Sequence, residues 1–269
     1  MTLLPAQLAE YRARGFVLLR GRVAPEECAA LRAEISQLIE VAAAERRAGR
    51  RDGFWEQMPR SRRAAEVFFE EGEPFEERRV MRVGHGLHCA PGPFERLVHG
   101  ASLGGALESA VPAPARIVSS AVVYKQSHSD AVQFGFHQDA AYLTYAPPIL
   151  ALAFLALDRC DAASGALQVV PGSHARGVDL RLRLGPKGFE PASGREARFS
   201  SADAELLEMD PGDVALVDGC TYHASEPNRS GAPRRAVIVH ATGGDAVAEA
   251  TNWMVTDGAS NRGATGDVE

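Results

Sequence analysis

The hydrophobic rhythm of the chain changes near residue 80. Before it, apolar residues recur at helical spacing. Leu31, Ile35, Leu38 and Ile39 fall on one face of a segment opened by Pro25, with Glu26 and Glu27 at the positive end of the helix dipole. A shorter helix ahead of it is broken by Gly15, and FVLLRG between the two reads as a strand. After Val80 the runs are short, apolar or alternating, and are separated by Gly, Pro, Asp and Asn. They are RIVSSAVVYKQ, AVQFGFHQDAAYL, ILALAFLALD, GALQVVPGS, AELLEMDPGDVALVDG and RRAVIVHATG. This spacing predicts an all-β sandwich or barrel rather than βαβ units.

Two stretches break the pattern. From Arg46 to Arg79 the sequence is charged and irregular. It reads as a solvated excursion with a short helix, or as a loop over a pocket anchored by Phe54, Trp55, Phe68 and Phe69. The tail from Asp257 is Gly-rich and polar and reads as disordered. The expected organisation is one domain over residues 1–257, with 46–79 as a loop or lid and 258–269 as a tail.

Composition narrows the function classes. At 269 residues and 45% hydrophobic, the chain can bury a sizeable core. A net charge of -6 with no basic stripe argues against nucleic acid as a partner. No run of eighteen apolar residues and no leader-like start is visible, so no membrane association is expected. The four cysteines are widely spaced without a CxxC, which fits a reducing cytoplasm and speaks against a thiolate zinc site. Of 29 basic residues only Lys125 and Lys187 are lysines, a bias that suits a GC-rich bacterial genome. A small-molecule ligand is the expected partner, and monomer and homodimer both remain open.

Candidate chemistry lies between Tyr124 and Leu143, where His-x-Asp occurs twice. His128 and Asp130 sit in a small polar run that reads as a loop. His137 and Asp139 follow an alternating stretch, which predicts Phe134 and Phe136 on one strand face and Gln133, His137 and Asp139 on the other. A third donor must come from elsewhere in the chain. Among His85, His88, His99, His174, His223 and His240, His223 is best placed, after the strand in MDPGDVALVDGCTYH. His174 reads as stabilising its turn, and His85 with His88 as a structural pair or substrate contacts. Two histidines and one carboxylate leave open cis positions on a metal, as non-haem Fe(II) oxygenases require; zinc prefers four tetrahedral ligands.

Several stretches together resemble the phytanoyl-CoA dioxygenase family of Fe(II)/2-oxoglutarate oxygenases. They are RGFVLLRGRVAPEECAAL, YKQ, FHQDAAYL, GALQVVPGSHARG, PGDVALVDGCTYHASEPNRS and RRAVIVH, spanning about Tyr11 to Trp253. The resemblance implies a mainly β fold with flanking helices: a double-stranded β-helix, or cupin-like jelly roll, with N-terminal helices on one sheet. It implies His137, Asp139 and His223 as iron ligands. Arg234, eleven residues after His223, becomes the anchor for the distal carboxylate of 2-oxoglutarate, with Ser225 a further cosubstrate contact. Reading the residues alone cannot choose between Arg234 and Arg235. Arg78 and Arg82 lie where related proteins place a basic cosubstrate contact.

Lys125, kept in a chain that otherwise uses arginine, is a candidate contact to cosubstrate or substrate. Phe54, Trp55, His85, His88, His128 and Tyr142 are the candidate substrate wall. The implied reaction uses Fe(II), 2-oxoglutarate and O2, and releases succinate and CO2 while a small molecule is hydroxylated. Secondary metabolism is the expected setting. Asp139 argues against halogenation, since related halogenases lack that carboxylate. Desaturation, epoxidation, epimerisation or ring closure at the same iron remain alternatives, as does a cupin-like metal-dependent isomerase that makes no use of 2-oxoglutarate.

Overall fold

The helical rhythm at the start is realised as α1 (Pro5–Arg14) and α2 (Pro25–Arg47), with β1 (Phe16–Leu19) between them. The computed structural model describes residues 2–49, 66–72, 74–127, 132, 134–185, 188–195 and 197–254. Gly15 ends α1 at φ +80, and a Cβ there would lie 2.4 Å from Thr221 Oγ1 and 2.5 Å from His174 Nδ1. Only glycine lets the chain turn into β1 at so close an approach. His174 donates from Nε2 to the Arg12 carbonyl at 3.0 Å, so its role is to tie this turn.

The strands after residue 66 form two principal antiparallel sheets. The larger holds β2 (Val67–Phe69), β3 (Val80–His85), β4 (Ala115–Lys125), β7 (Ala151–Ala156), β12 (Val214–Asp218) and β14 (Arg234–Gly243) together with β1. Its order is β1-β12-β7-β14-β4-β3-β2. The smaller has the order β11-β8-β13-β5, from β5 (Phe134–His137), β8 (Leu167–Val169), β11 (Glu205–Leu207) and β13 (His223–Ser225). A hairpin of β9 (Leu180–Gly185) and β10 (Gly188–Gly194) and a short pair, β6 (Tyr145–Ala146) with β15 (Val247–Ala248), complete the strands. Two further helices, α3 (Pro93–His99) and α4 (Gly104–Ala110), precede β4.

Burial follows from strand alternation. On β14, Val237 and Val239 face outward and join Leu31, Ile35 and Ile39 of α2 in one core. The N-terminal helices therefore cover the outer face of the large sheet. Ala236 of β14 faces inward, with Phe154, Leu167, Val169 and Val217, in a second core between the sheets. This is a jelly roll with flanking helices.

One expectation changes. Phe68 and Phe69 do not anchor a loop; they are buried in the edge strand β2. Phe54 and Trp55, and the tail beyond residue 254, lie outside the described residues. The helices α3 and α4 and the β9–β10 hairpin have no counterpart in the sequence-based expectation.

Candidate metal centre

The small sheet sets the site through an irregular pairing. His223 is opposite His137 and Ser225 is opposite Phe134, so three steps along β5 match two along β13. The extra residue is a β-bulge, and it re-aims side chains. Phe134 is thereby turned to the same pocket as His137, against the expected alternation. Phe136 packs instead on Phe199, 6.4 Å between centroids. Gln133 and the first His-x-Asp copy, including His128, lie outside the described residues.

Asp139 is not on a strand. β5 ends at His137, and the chain enters a tight turn over Asp139–Ala141 that carries the carboxylate back beneath the two histidines. Gln138, between the two donors, pins this turn. Its amide donates to the carbonyls of Gly177 (2.7 Å) and Cys220 (2.6 Å) and accepts from the Asp179 N–H (2.9 Å).

The donor atoms converge. His137 Nε2 is 3.7 Å from Asp139 Oδ1, and His223 Nε2 is 3.7 Å from Asp139 Oδ2. The three residues form a group whose ligand atoms all lie within 4.8 Å of one another. Each ring is held from behind. His137 Nδ1 is 2.7 Å from the Gly135 carbonyl and His223 Nδ1 is 3.0 Å from the Thr221 carbonyl. A carbonyl only accepts, so both protons sit on Nδ1 and both Nε2 lone pairs face the carboxylate. Burial, then the neighbouring His223, pushes the His137 pKa down to about 4, which keeps that ring neutral. Burial alone would raise the Asp139 pKa; the charged forms of His223 and then His240 would hold it well below the carboxylate range, a pull that passes to a bound cation when the rings are neutral. Two bare lone pairs and a carboxylate at this spacing repel one another unless a cation lies among them. Donors about 2.1 Å from a first-row metal sit ~3.0–3.5 Å apart, so the residues fit a divalent metal after a small contraction.

The pocket beside this cluster is lined by Val123, Leu152, Phe154, Leu167 and Ile238 and by two arginines, Arg82 and Arg234. Arg234 is 2% exposed, and its one side-chain hydrogen bond among the described residues runs from Nη2 to the Gly165 carbonyl at 3.0 Å. Its Nε and Nη1 have no partner among the described residues. Arg235, one residue on, points to the outer face and pairs through Nε and Nη2 with the Asp158 carboxylate at 2.8 and 2.9 Å. Strand alternation thus separates a committed arginine from an uncommitted one. Arg82 opens to the same pocket and lies 3.5 Å from His85 Nε2; Arg78 is outside it, paired with Glu76. Ser225 lines the pocket too.

Lys125 has a different position from the one expected. It is 1% exposed, outside the pocket, and its ammonium donates to the carbonyls of Val132 (3.0 Å), Ser225 (3.0 Å) and Glu226 (2.6 Å). All three protons are used. Burial, then the charge of Arg234, pulls its pKa down to about 7, while the charge of Glu226 acts the other way. Lys125 therefore fastens β13 to the end of β4. Arginine, with a planar fork, cannot converge three protons on one point, which accounts for a lysine here. Lys125→Met is expected to lower stability by on the order of 2–3 kcal/mol, because buried carbonyls lose their donor. Urea unfolding checks this, and an unchanged midpoint would contradict it.

His85 and His88 also stand back from the pocket. His85 is buried edge-on to Trp253, 5.0 Å between centroids, and His88 bonds through Nδ1 to Ser120 Oγ at 2.7 Å. Tyr142 does line the pocket, and its hydroxyl donates to Asp139. Sequence reasoning did not place His240 in the site, yet its Nε2 is 3.1 Å from Asp139 Oδ2. The signal was available: Arg234, Ala236, Ile238 and His240 share one face of an alternating strand.

A jelly roll with a two-histidine, one-carboxylate cluster at its open side belongs to the class of scaffolds suited to a mononuclear metal. The family model described as phytanoyl-CoA dioxygenase (PhyH) matches residues 11–236, and the chain belongs to that family. The mouse phytanoyl-CoA dioxygenase domain-containing protein 1 is 27% identical over 261 residues, covering 88% of this chain and 89% of the mouse protein. A Dictyostelium discoideum homolog of it is 25% identical over 277 residues, covering 94% and 97%. Among solved structures, the epimerase SnoN in complex with Fe3+, alpha-ketoglutarate and nogalamycin RO has the same fold. Its TM-score is 0.64 at 18% identity, over 95% of this chain and 90% of SnoN.

Proposed function

We propose that this protein is a non-haem Fe(II)- and 2-oxoglutarate-dependent dioxygenase. It hydroxylates a small molecule of bacterial secondary metabolism in the cytoplasm, releasing succinate and CO2. The observation that carries this reading is one pocket holding both the converging donors of His137, Asp139 and His223 and the uncommitted buried guanidinium of Arg234. A cupin-like isomerase would use the donors but has no need of a buried cation beside them. Membership of a dioxygenase family supports the same conclusion. No helix among the described residues is long and apolar enough to cross a membrane.

Each residue has a defined task. His137, Asp139 and His223 would hold Fe(II). Arg234, whose Nε and Nη1 have no partner among the described residues, would hold the distal carboxylate of 2-oxoglutarate along one edge of its guanidinium, Nη2 together with either Nε or Nη1. Ser225 adds a hydroxyl beside it, and Arg82 offset from Arg234 balances the second negative charge. Leu152, Phe154, Leu167 and Ile238 keep water from that ion pair, which strengthens it. Bound there with 2-oxoglutarate, Fe(II) would supply the oxidising chemistry that the protein side chains lack. Substrate enters over Phe134 and Tyr142, and the aromatic surface continues through Phe189 (5.3 Å from Tyr142) to Trp253 (6.1 Å from Phe189). His128, Phe54 and Trp55 remain candidates for the same wall.

The fold shared with an epimerase favours net epimerisation as the second reading. Incubation with Fe(II), 2-oxoglutarate and a panel of small molecules under 18O2 separates the two. Hydroxylation gives succinate and a product carrying one 18O atom. Epimerisation, which does not oxidise the substrate, requires an added two-electron reductant such as ascorbate and gives an isomer of unchanged mass. Absence of succinate with every compound and in uncoupled turnover contradicts both.

A further inference from the structure

Strands fix His137 and His223, but Asp139 lies in a turn, where backbone pairing does not orient its carboxylate. Two side chains that belong to no donor set do so instead. The Tyr142 hydroxyl bonds to Oδ1, and His240 Nε2 lies 3.1 Å from Oδ2. An ionised carboxylate can only accept, so the tyrosine proton points at Oδ1 and His240 carries its proton on Nε2. That tautomer leaves His240 Nδ1 bare, and Nδ1 is buried with no partner among the described residues. An unpaired buried polar atom is a cost that a purely structural histidine would avoid.

The two contacts come from opposite sides of the fold. Tyr142 follows Asp139 in the same turn, where its N–H bonds to the Asp139 carbonyl at 3.2 Å. His240 comes from β14 of the large sheet, at the point where the β14–β4 register shifts between His240 and Ala241. Such irregularities re-aim side chains near active sites. One grip moves with the carboxylate and the other ties it to the rigid sheet.

We propose that Tyr142 and His240 are positioning residues that clamp the Asp139 carboxylate toward His137 and His223, and thereby set the affinity of the cluster for a divalent metal. The clamp rests on the metal reading of the triad. Groups of this kind, one bond removed from the metal, commonly contribute 10–100-fold to affinity.

Cobalt(II) titrated into the metal-free protein, followed by its d–d absorption and by calorimetry, tests the clamp without any turnover. Tyr142→Phe keeps the ring and deletes one bond; a roughly fivefold weaker Kd is expected. His240→Ala is expected to weaken Kd by roughly 10–100-fold and to shift the d–d spectrum. His240→Gln, whose amide N–H can reach the place of Nε2–H, is expected to recover most of the affinity. Tyr142→Phe also guards against a folding artefact, since it removes one oxygen atom and no packing. Wild-type affinity and spectra in both Tyr142→Phe and His240→Ala would overturn the clamp and leave the metal reading standing. Failure of the wild-type protein to bind cobalt(II) would overturn the metal reading, and the clamp with it.

Discussion

Asp139→Ala is expected to reduce succinate formation from 2-oxoglutarate by roughly three orders of magnitude or more, the scale of loss when a group acting as part of a unit is removed. Asp139 is the only anion among the three clustered donors, so its loss leaves two neutral imidazoles to hold a doubly charged ion. The same change frees the Tyr142 hydroxyl and the His240 N–H, which both bond to it. Folding should survive, because removing a buried charge offsets the loss of those bonds. Iron content after desalting and the succinate rate, measured beside thermal unfolding, give the readout. Wild-type iron retention and turnover in a folded Asp139→Ala protein would remove Asp139 from the site.

Arg234→Met is expected to produce two effects of opposite sense. Affinity for 2-oxoglutarate should fall by roughly a hundredfold or more, because a buried charge pair loses one partner. The ligand-free protein should become more stable, by about 1–4 kcal/mol, because an unpaired buried guanidinium is replaced by an apolar side chain of similar length. Loss of the Nη2 bond to Gly165 tempers the gain. Gly165 itself holds φ +71 with a virtual Cβ 2.2 Å from the Glu226 carbonyl, so that anchor point tolerates no larger residue. Arg235→Met is the contrast. It strips Asp158 of a two-bond partner and should destabilise the protein while leaving 2-oxoglutarate binding unchanged. Calorimetric 2-oxoglutarate titration with unfolding curves checks both. A destabilised Arg234→Met protein with normal cosubstrate affinity would contradict the assignment.

Much of this arrangement was legible in the sequence because strand alternation carries it. The helical stripe of α2 and the apolar runs of β7 and β12 follow from period. The inward-facing row from Arg234 to His240 keeps the same period, but the residues alone left Arg234 and Arg235 open and His240 unplaced. What escaped depends on departures from period. A period of two put His137 and Asp139 on one strand face. They are neighbours in space, but through a turn and a bulge that no alternation encodes. Lys125 was conspicuous by composition, yet only the register of β4 against β14 and the path of β13 show that it serves three carbonyls. The β9–β10 hairpin alternates visibly in LRLRLG, but its outer positions are arginines and its inner ones only half-buried, so it resembles a solvated stretch. Arg82, just past the charged region, was named with Arg78 through the resemblance, and only the structure separates the pocket cation from the surface one.

The central claim, one pocket that takes Fe(II) and 2-oxoglutarate together, is tested most directly by titrating Fe(II) and then 2-oxoglutarate into the metal-free protein without oxygen. A visible charge-transfer band is expected to grow with 2-oxoglutarate, saturate at one equivalent of iron, and vanish in Asp139→Ala and His223→Ala. No band in the wild-type protein at saturating iron and 2-oxoglutarate, or an undiminished band in those variants, would contradict the account.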